Sequence, residues 1–190
     1  MKNFLLIIGL ALAASFSSNA QYIDLQLNPI GALFGNVSAT AEFPLSENVG
    51  IEPAVGFVFG ERGLGGYKSS GVGLGVNAKF YFSPDDGTDK FYAFGYTRFA
   101  TVNNTFNEGS VTSGFFDEYR NTRLSLGVGV GYKWVADNGF IFELAAGGGR
   151  ALLNKYDYDG EDEFFDSALE GLTQFDLYGR LSIGYRLGRG

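Results

Sequence analysis

The stretch RLSLGVGVGYKW, Arg123 to Trp134, decides the fold. Leu124, Leu126, Val128, Val130, Tyr132 and Trp134 share one parity, and Arg123, Ser125, Gly127, Gly129, Gly131 and Lys133 share the other. A helix, turning about 100° per residue, scatters both sets around its circumference, whereas a strand sends successive side chains to opposite faces and so sorts them. Gly71–Phe82 and Phe175–Leu187 show the same sorting: Val72, Leu74, Val76, Ala78, Phe80 and Phe82 oppose Gly71, Gly73, Gly75, Asn77, Lys79 and Tyr81, and Leu177, Leu181, Ile183 and Tyr185 oppose Asp176, Arg180, Ser182 and Arg186. The pattern predicts eight strands, near residues 22–28, 33–43, 48–60, 70–82, 90–102, 121–135, 139–152 and 173–187. Pro44–Asn48, Ser83–Asp89 and Ala136–Gly139 are short connections with turn residues, as is the first, around Asn28-Pro29-Ile30-Gly31. Glu61–Ser69, Val102–Arg120 and Leu153–Leu172 are longer and more polar. Short turns at one end and long loops at the other predict an all-β, eight-stranded antiparallel up-and-down transmembrane β-barrel. Pro53, inside the third strand, cannot donate to a ladder and predicts a bulge.

Polarity decides between membrane and water. A soluble barrel of the lipocalin type is apolar inside, while a membrane barrel turns its apolar face to lipid and its polar face to the lumen. Here the polar face carries Glu42, Glu52, Lys79, Lys133, Glu143, Arg180 and Arg186. Eight strands enclose only enough space for side chains, so these charges are expected to pair in a static network. Switchable ion pairs among Glu52, Lys79, Glu143 and Arg180, forming a gate in a narrow pore, are the alternative. Aromatics are expected to form a girdle at the short-turn end, from Phe43, Phe80, Phe82, Tyr92, Phe94, Tyr132, Trp134, Phe140, Phe142 and Tyr185, with Phe57, Phe59, Phe99 and Phe175 at the other end.

Residues 1–20, MKNFLLIIGLALAASFSSNA, have a basic start, an apolar middle and a small-x-small ending at Ser18-Asn19-Ala20, and are expected to be a secretory signal cleaved after Ala20. Residues 21–190 then form one barrel domain. The 190-residue chain has no Cys and no His, which removes disulfides, thiol chemistry and the usual general base, and argues against an enzyme. Its net charge of −7 argues against a nucleic-acid partner.

Function is therefore sought in the loops. Phe115, Phe116, Phe164 and Phe165 are contact candidates for a partner or lipid, or caps of the barrel mouth. The acidic run Asp157–Glu163 reads as a solvated or partner-facing loop, with weak calcium ligation by Asp157, Asp159 and Glu161 as the alternative, since the full calcium-loop spacing is missing. Asn103-Asn104-Thr105 matches the glycosylation pattern by chance, and Gly147-Gly148-Gly149 continues a strand without the helix and Lys of a phosphate loop.

With these strands in place, residues 21–190 resemble the small eight-stranded outer-membrane barrels of the OmpX and OmpA-transmembrane-domain type. The Asn28-Pro29-Ile30-Gly31 turn, Gly35-Asn36-Val37-Ser38 and Glu42 are also similar to a related group of barrels without assigned function. The resemblance implies a location in the bacterial outer membrane and no cofactor. Its implied partners are outer-membrane lipid, the barrel-assembly and periplasmic chaperone machinery, and a surface or envelope protein met by the loops. Such barrels end in an aromatic-terminated strand. Ile183, Tyr185 and Leu187 alternate suitably here, but Gly188-Arg189-Gly190 follows. A membrane scaffold is the leading expectation, ahead of a narrow ion or small-solute channel and a soluble ligand-binding barrel.

Overall fold

A computed structural model describes residues 22–33, 35–62, 67–106, 118–158 and 174–188, and in it the alternating segments pair into one sheet. The elements are β1 (Ile23–Asn28), α1 (Pro29–Leu33), β2 (Asn36–Pro44), β3 (Val49–Val58), β4 (Glu61–Arg62), β5 (Tyr67–Tyr81), β6 (Lys90–Phe106), β7 (Glu118–Val135), β8 (Phe140–Tyr158) and β9 (Phe175–Leu187). Every ladder is antiparallel. β1 pairs with both β2 and β9, and β3 pairs with β5, so the sheet closes on itself. The two-residue β4 pairs with the outer end of β5 and so continues the side of the ladder that β3 begins. The chain is thus an all-β, eight-stranded antiparallel closed barrel, closed by the β1–β9 ladder at the short-turn end, beyond which the outer half of β9 pairs with β8 alone among the described residues.

Local chemistry explains where the strands depart from the expected ranges. After β1, Asn28 accepts a hydrogen bond from the Gly31 N–H at 3.2 Å through Oδ1, Pro29 takes the first helical position, and Gly35 leaves the turn at a left-handed φ of 66°. This single helical turn moves the start of β2 from residue 33 to Asn36. At the opposite end of the barrel from the short turns, β5 to β8 run past the expected boundaries, to Phe106 and Tyr158. The backbone ladder continues there although the hydrophobic alternation has stopped, joined by polar pairs such as Ser69–Asn104 (2.7 Å), Arg120–Asn103 (2.8 Å) and Asn121–Asn154 (3.0 Å).

The bulge expected at Pro53 is not found. Pro53 stands opposite Val76 in an unbroken β3–β5 register, and the β2–β3 register keeps its alignment on either side of it. The register shift lies between Leu124 and Ser125 of β7, against the extra residue Leu152 of β8, so that Leu152 and Leu153 both face outward.

The outer wall is apolar: Leu27, Leu74, Leu126, Val128, Leu152 and Leu177 are all exposed. Phe80, Phe82, Trp134, Phe140 and Tyr185 stand exposed at the short-turn end, with Phe43, Tyr132 and Phe142 half-exposed. Phe57, Phe59, Phe99 and Phe175 are exposed toward the other end.

Two residues expected in this girdle belong elsewhere. Tyr92 and Phe94 point into the barrel and are buried, and Phe91 takes the outward position instead. Inside, Tyr92, Phe94 and Tyr96 stack down β6, with Tyr81 beside Tyr92 (5.1 Å between centroids) and Tyr178 beside Phe94 (5.0 Å). Their cross-strand partners are Gly131, Gly129 and Gly127 of β7, and the rings lie across those glycines. A Cβ at Gly129 would come within 2.5 Å of Phe94 Cζ and of the Ala146 carbonyl oxygen, so the rings fold inward because β7 makes room for them.

Candidate functional site

A barrel interior of this width is filled by side chains, and here most are polar. Among the described residues, four carboxylates (Asp24, Glu42, Glu52, Glu143) and four cations (Lys79, Lys133, Arg180, Arg186) form one connected set, all buried. Arg186 holds Asp24 through Nε at 2.7 Å, Lys133 joins Asp24 (2.8 Å) to Glu42 (2.9 Å), and Lys79 joins Glu42 (2.8 Å), Glu52 (2.7 Å) and Glu143 (3.0 Å). Arg180 completes the chain on Glu52, at 2.5 Å, and on Glu143. Tyr81 and Tyr92 donate to Glu42 (2.8 Å) and Glu143 (2.6 Å), while Gln26 and Asn77 donate to Glu143 and Glu52. Lone ions in such a place are prohibitively costly. Equal numbers of opposite charges, with hydrogen bonds on the remaining lone pairs, make the burial tolerable.

Carboxylate oxygens of Glu42, Glu52 and Glu143 all lie within 4.8 Å of one another, the geometry of an oxygen-ligand metal site. The centre of that triad is taken by the Lys79 ammonium, which hydrogen-bonds to all three. A protein cation does there what a metal would do.

The short-turn end is closed by the β5–β6 connection. Thr88 is buried, its N–H donates to Tyr22 Oη at 2.6 Å, and its hydroxyl and carbonyl oxygens accept from Lys133 Nζ (3.2 Å) and Arg186 (3.1 Å). Arg186 also donates to the Asp86 carbonyl at 2.5 Å and lies 3.9 Å above the Tyr22 ring. Gly87 makes this approach possible: its φ is 69°, and a Cβ would sit 1.9 Å from Tyr22 Oη.

The half toward the long connections is different. A half-open cavity of about 340 Å³ lies above Tyr96, Tyr178 and Arg180, walled by small residues such as Ser38, Ala54, Gly73 and Gly75. At its rim Arg98 donates to Asp176 Oδ1 at 2.5 Å, Arg123 approaches the same oxygen at 3.5 Å, and Tyr96 donates to Oδ2 at 2.8 Å.

All seven charges singled out from the sequence are thus buried together in one network. Sequence reasoning missed Asp24, the Thr88 cap and the Arg98–Asp176–Arg123 group. Asp24 had a signal, because its parity with Gln26 opposes Ile23, Leu25 and Leu27. Thr88 had none. Asp157, the one described calcium candidate, is exposed and paired with Lys155 at 2.6 Å; Asp159, Glu161, Phe115, Phe116, Phe164 and Phe165 lie outside the described residues, as do residues 1–20.

A family model described as "Protein of unknown function (DUF3575)" matches residues 6–170. The chain belongs to the DUF3575 family. No curated protein and no solved structure matches it. The span matched to DUF3575 takes in Asp24, Glu42, Glu52, Lys79, Lys133 and Glu143, whereas Asp176, Arg180 and Arg186 lie beyond it.

Proposed function

We propose that this DUF3575 chain is an integral outer-membrane β-barrel, non-enzymatic, whose rigid wall carries its long connections on the outer side for contact with a surface or envelope partner. The inverted polarity carries the reading: the outside is apolar and the inside holds the charges. Leu177 is 84% exposed and Val128 70%, and a soluble protein gains nothing from such a wall. In lipid, each such side chain removed from water contributes about 1.5–3 kcal/mol. Along the ladders, strand pairing satisfies the backbone groups that hydrocarbon cannot. A soluble carrier of the lipocalin type needs the opposite arrangement.

Membrane fractionation followed by gel mobility with and without heating tests the proposal. The expected result is recovery in the outer-membrane fraction and a heat-dependent mobility shift. Recovery as a detergent-free soluble periplasmic protein would end it.

A scaffold also predicts electrical silence. The Thr88 cap and the charge network fill the short-turn half, so planar bilayers containing the purified protein should show no steady unitary conductance. Discrete conductance altered by Glu143→Gln would favour the channel reading instead.

A further inference from the structure

The geometry points to a binding site in the open half of the barrel, for a small hydroxyl-bearing organic anion whose carboxylate or phosphate group is taken by Arg98 and Arg123. Three observations lead there. First, the short-turn half of the interior is packed with rings and ion pairs, while the other half holds a cavity of about 340 Å³, within the range of small-molecule sites. Glycine and alanine on the inward positions of β3 and β5 keep it open, where larger side chains would have filled an eight-stranded barrel.

Second, among the described residues the charge at the rim is unbalanced. The deep network pairs four acids with four bases, but here two guanidinium groups share the single carboxylate of Asp176. The Arg98 side chain is 42% exposed, and among the described residues its one hydrogen-bond acceptor is Asp176. Its remaining N–H groups are available to the planar, two-oxygen edge that guanidinium recognises best.

Third, the cavity lining includes buried polar groups left without a partner. Arg180 Nε and Thr40 Oγ1 have none among the described residues, and both residues line the cavity. Buried polar atoms are rarely left in that state unless something else meets them, whether a ligand's hydroxyl groups or water that the ligand displaces. An anionic head at the rim and a hydroxylated body below it suit this lining.

Asp176 then acts as an internal stand-in for the ligand's anion, and this separates the site from a merely structural ion pair. Calorimetric titration of the protein in neutral detergent with gluconate, glucose 6-phosphate and glucose is the test. Gluconate or glucose 6-phosphate should bind at least tenfold more tightly than glucose, and added sodium chloride should weaken the anion alone. Arg98→Gln should weaken anion binding tenfold or more. Asp176→Asn, which keeps an acceptor for Tyr96, should strengthen it severalfold by freeing Arg98 and removing the competing negative charge beside Arg123, which Ser125 and the Phe175 carbonyl keep in place. Equal or absent binding of anion and neutral sugar overturns the proposal, as does a loss of affinity in Asp176→Asn matching that in Arg98→Gln. Heat-shifted mobility of each variant establishes that it is folded, and the wild-type sugar comparison and salt series decide the matter without any variant. The site does not rest on the membrane reading: a protein that proves soluble yet discriminates gluconate from glucose refutes only that reading.

Discussion

Lys79→Met should be among the most damaging single substitutions in the barrel, with a loss of about 3–5 kcal/mol of stability, the range for removing one partner of a buried ion pair. The Lys79 ammonium is the hub on which Glu42, Glu52 and Glu143 converge, and it also lies 4.9 Å from the centroid of the Tyr92 ring. Methionine keeps most of the volume and removes the charge, leaving three carboxylates in mutual repulsion around an apolar tip. Lys133 still reaches Glu42, and Arg180 still reaches Glu52 and Glu143, which should keep the chain foldable. Urea titration followed by the heat-shifted gel band, with Trp134 fluorescence as a second probe, gives the midpoint. Adding Glu52→Gln removes one negative charge along with the positive one, so the double variant should recover part of the loss, with a coupling of about 1–3 kcal/mol. A single-variant loss below about 1 kcal/mol would mean that the network tolerates an uncompensated carboxylate.

Gly129→Val should prevent the compact form from accumulating or cost about 3 kcal/mol or more, at the upper end of overpacking penalties. The obstacle on one side is backbone: a Cβ would lie 2.5 Å from the Ala146 carbonyl oxygen, which is fixed by the β7–β8 ladder. Gly127→Ala should be milder. Its nearest atoms all belong to the Tyr96 ring, so Tyr96→Ala in the same chain should recover much of the loss. The same urea titration reads both, and an unchanged midpoint for Gly129→Val would show that the rings do not rest on the β7 glycines.

These two variants mark where the sequence was legible and where it was not. In β7 and β9 one parity is greasy and the other polar or glycine, so both the strand and its inward face can be read directly. In β6 both parities carry aromatics, Phe91 and Phe99 on one and Tyr92, Phe94 and Tyr96 on the other, so polarity alone does not say which faces in. Two signals were present: Arg98 shares the parity of the inward rings, and Gly127-x-Gly129-x-Gly131 offers the matching vacancies across the ladder. Using them requires knowing the register, a property of the pair of strands. The outer extensions of β6 and β8 were hidden for a different reason. Above the apolar band both faces meet water, and alternation, the only strand signal used, no longer applies. The Thr88 cap is harder still, because a threonine in a turn looks the same whether the turn points to solvent or folds back into the mouth.

That cap has a consequence for how the barrel is made. Its acceptors and donors come from three distant parts of the chain: Tyr22 just before β1, Lys133 near the end of β7, and Arg186 near the end of β9. The seam where β9 meets β1 is the contact of greatest sequence separation, and the Arg186–Asp24 ion pair lies across it. Thr88 therefore has no finished seat until the first and last strands have joined, and long-range pairing of that kind forms slowly. Sealing one end of the molecule thus doubles as a check on its completion: a chain stalled with its seam open also keeps an open, charge-lined mouth.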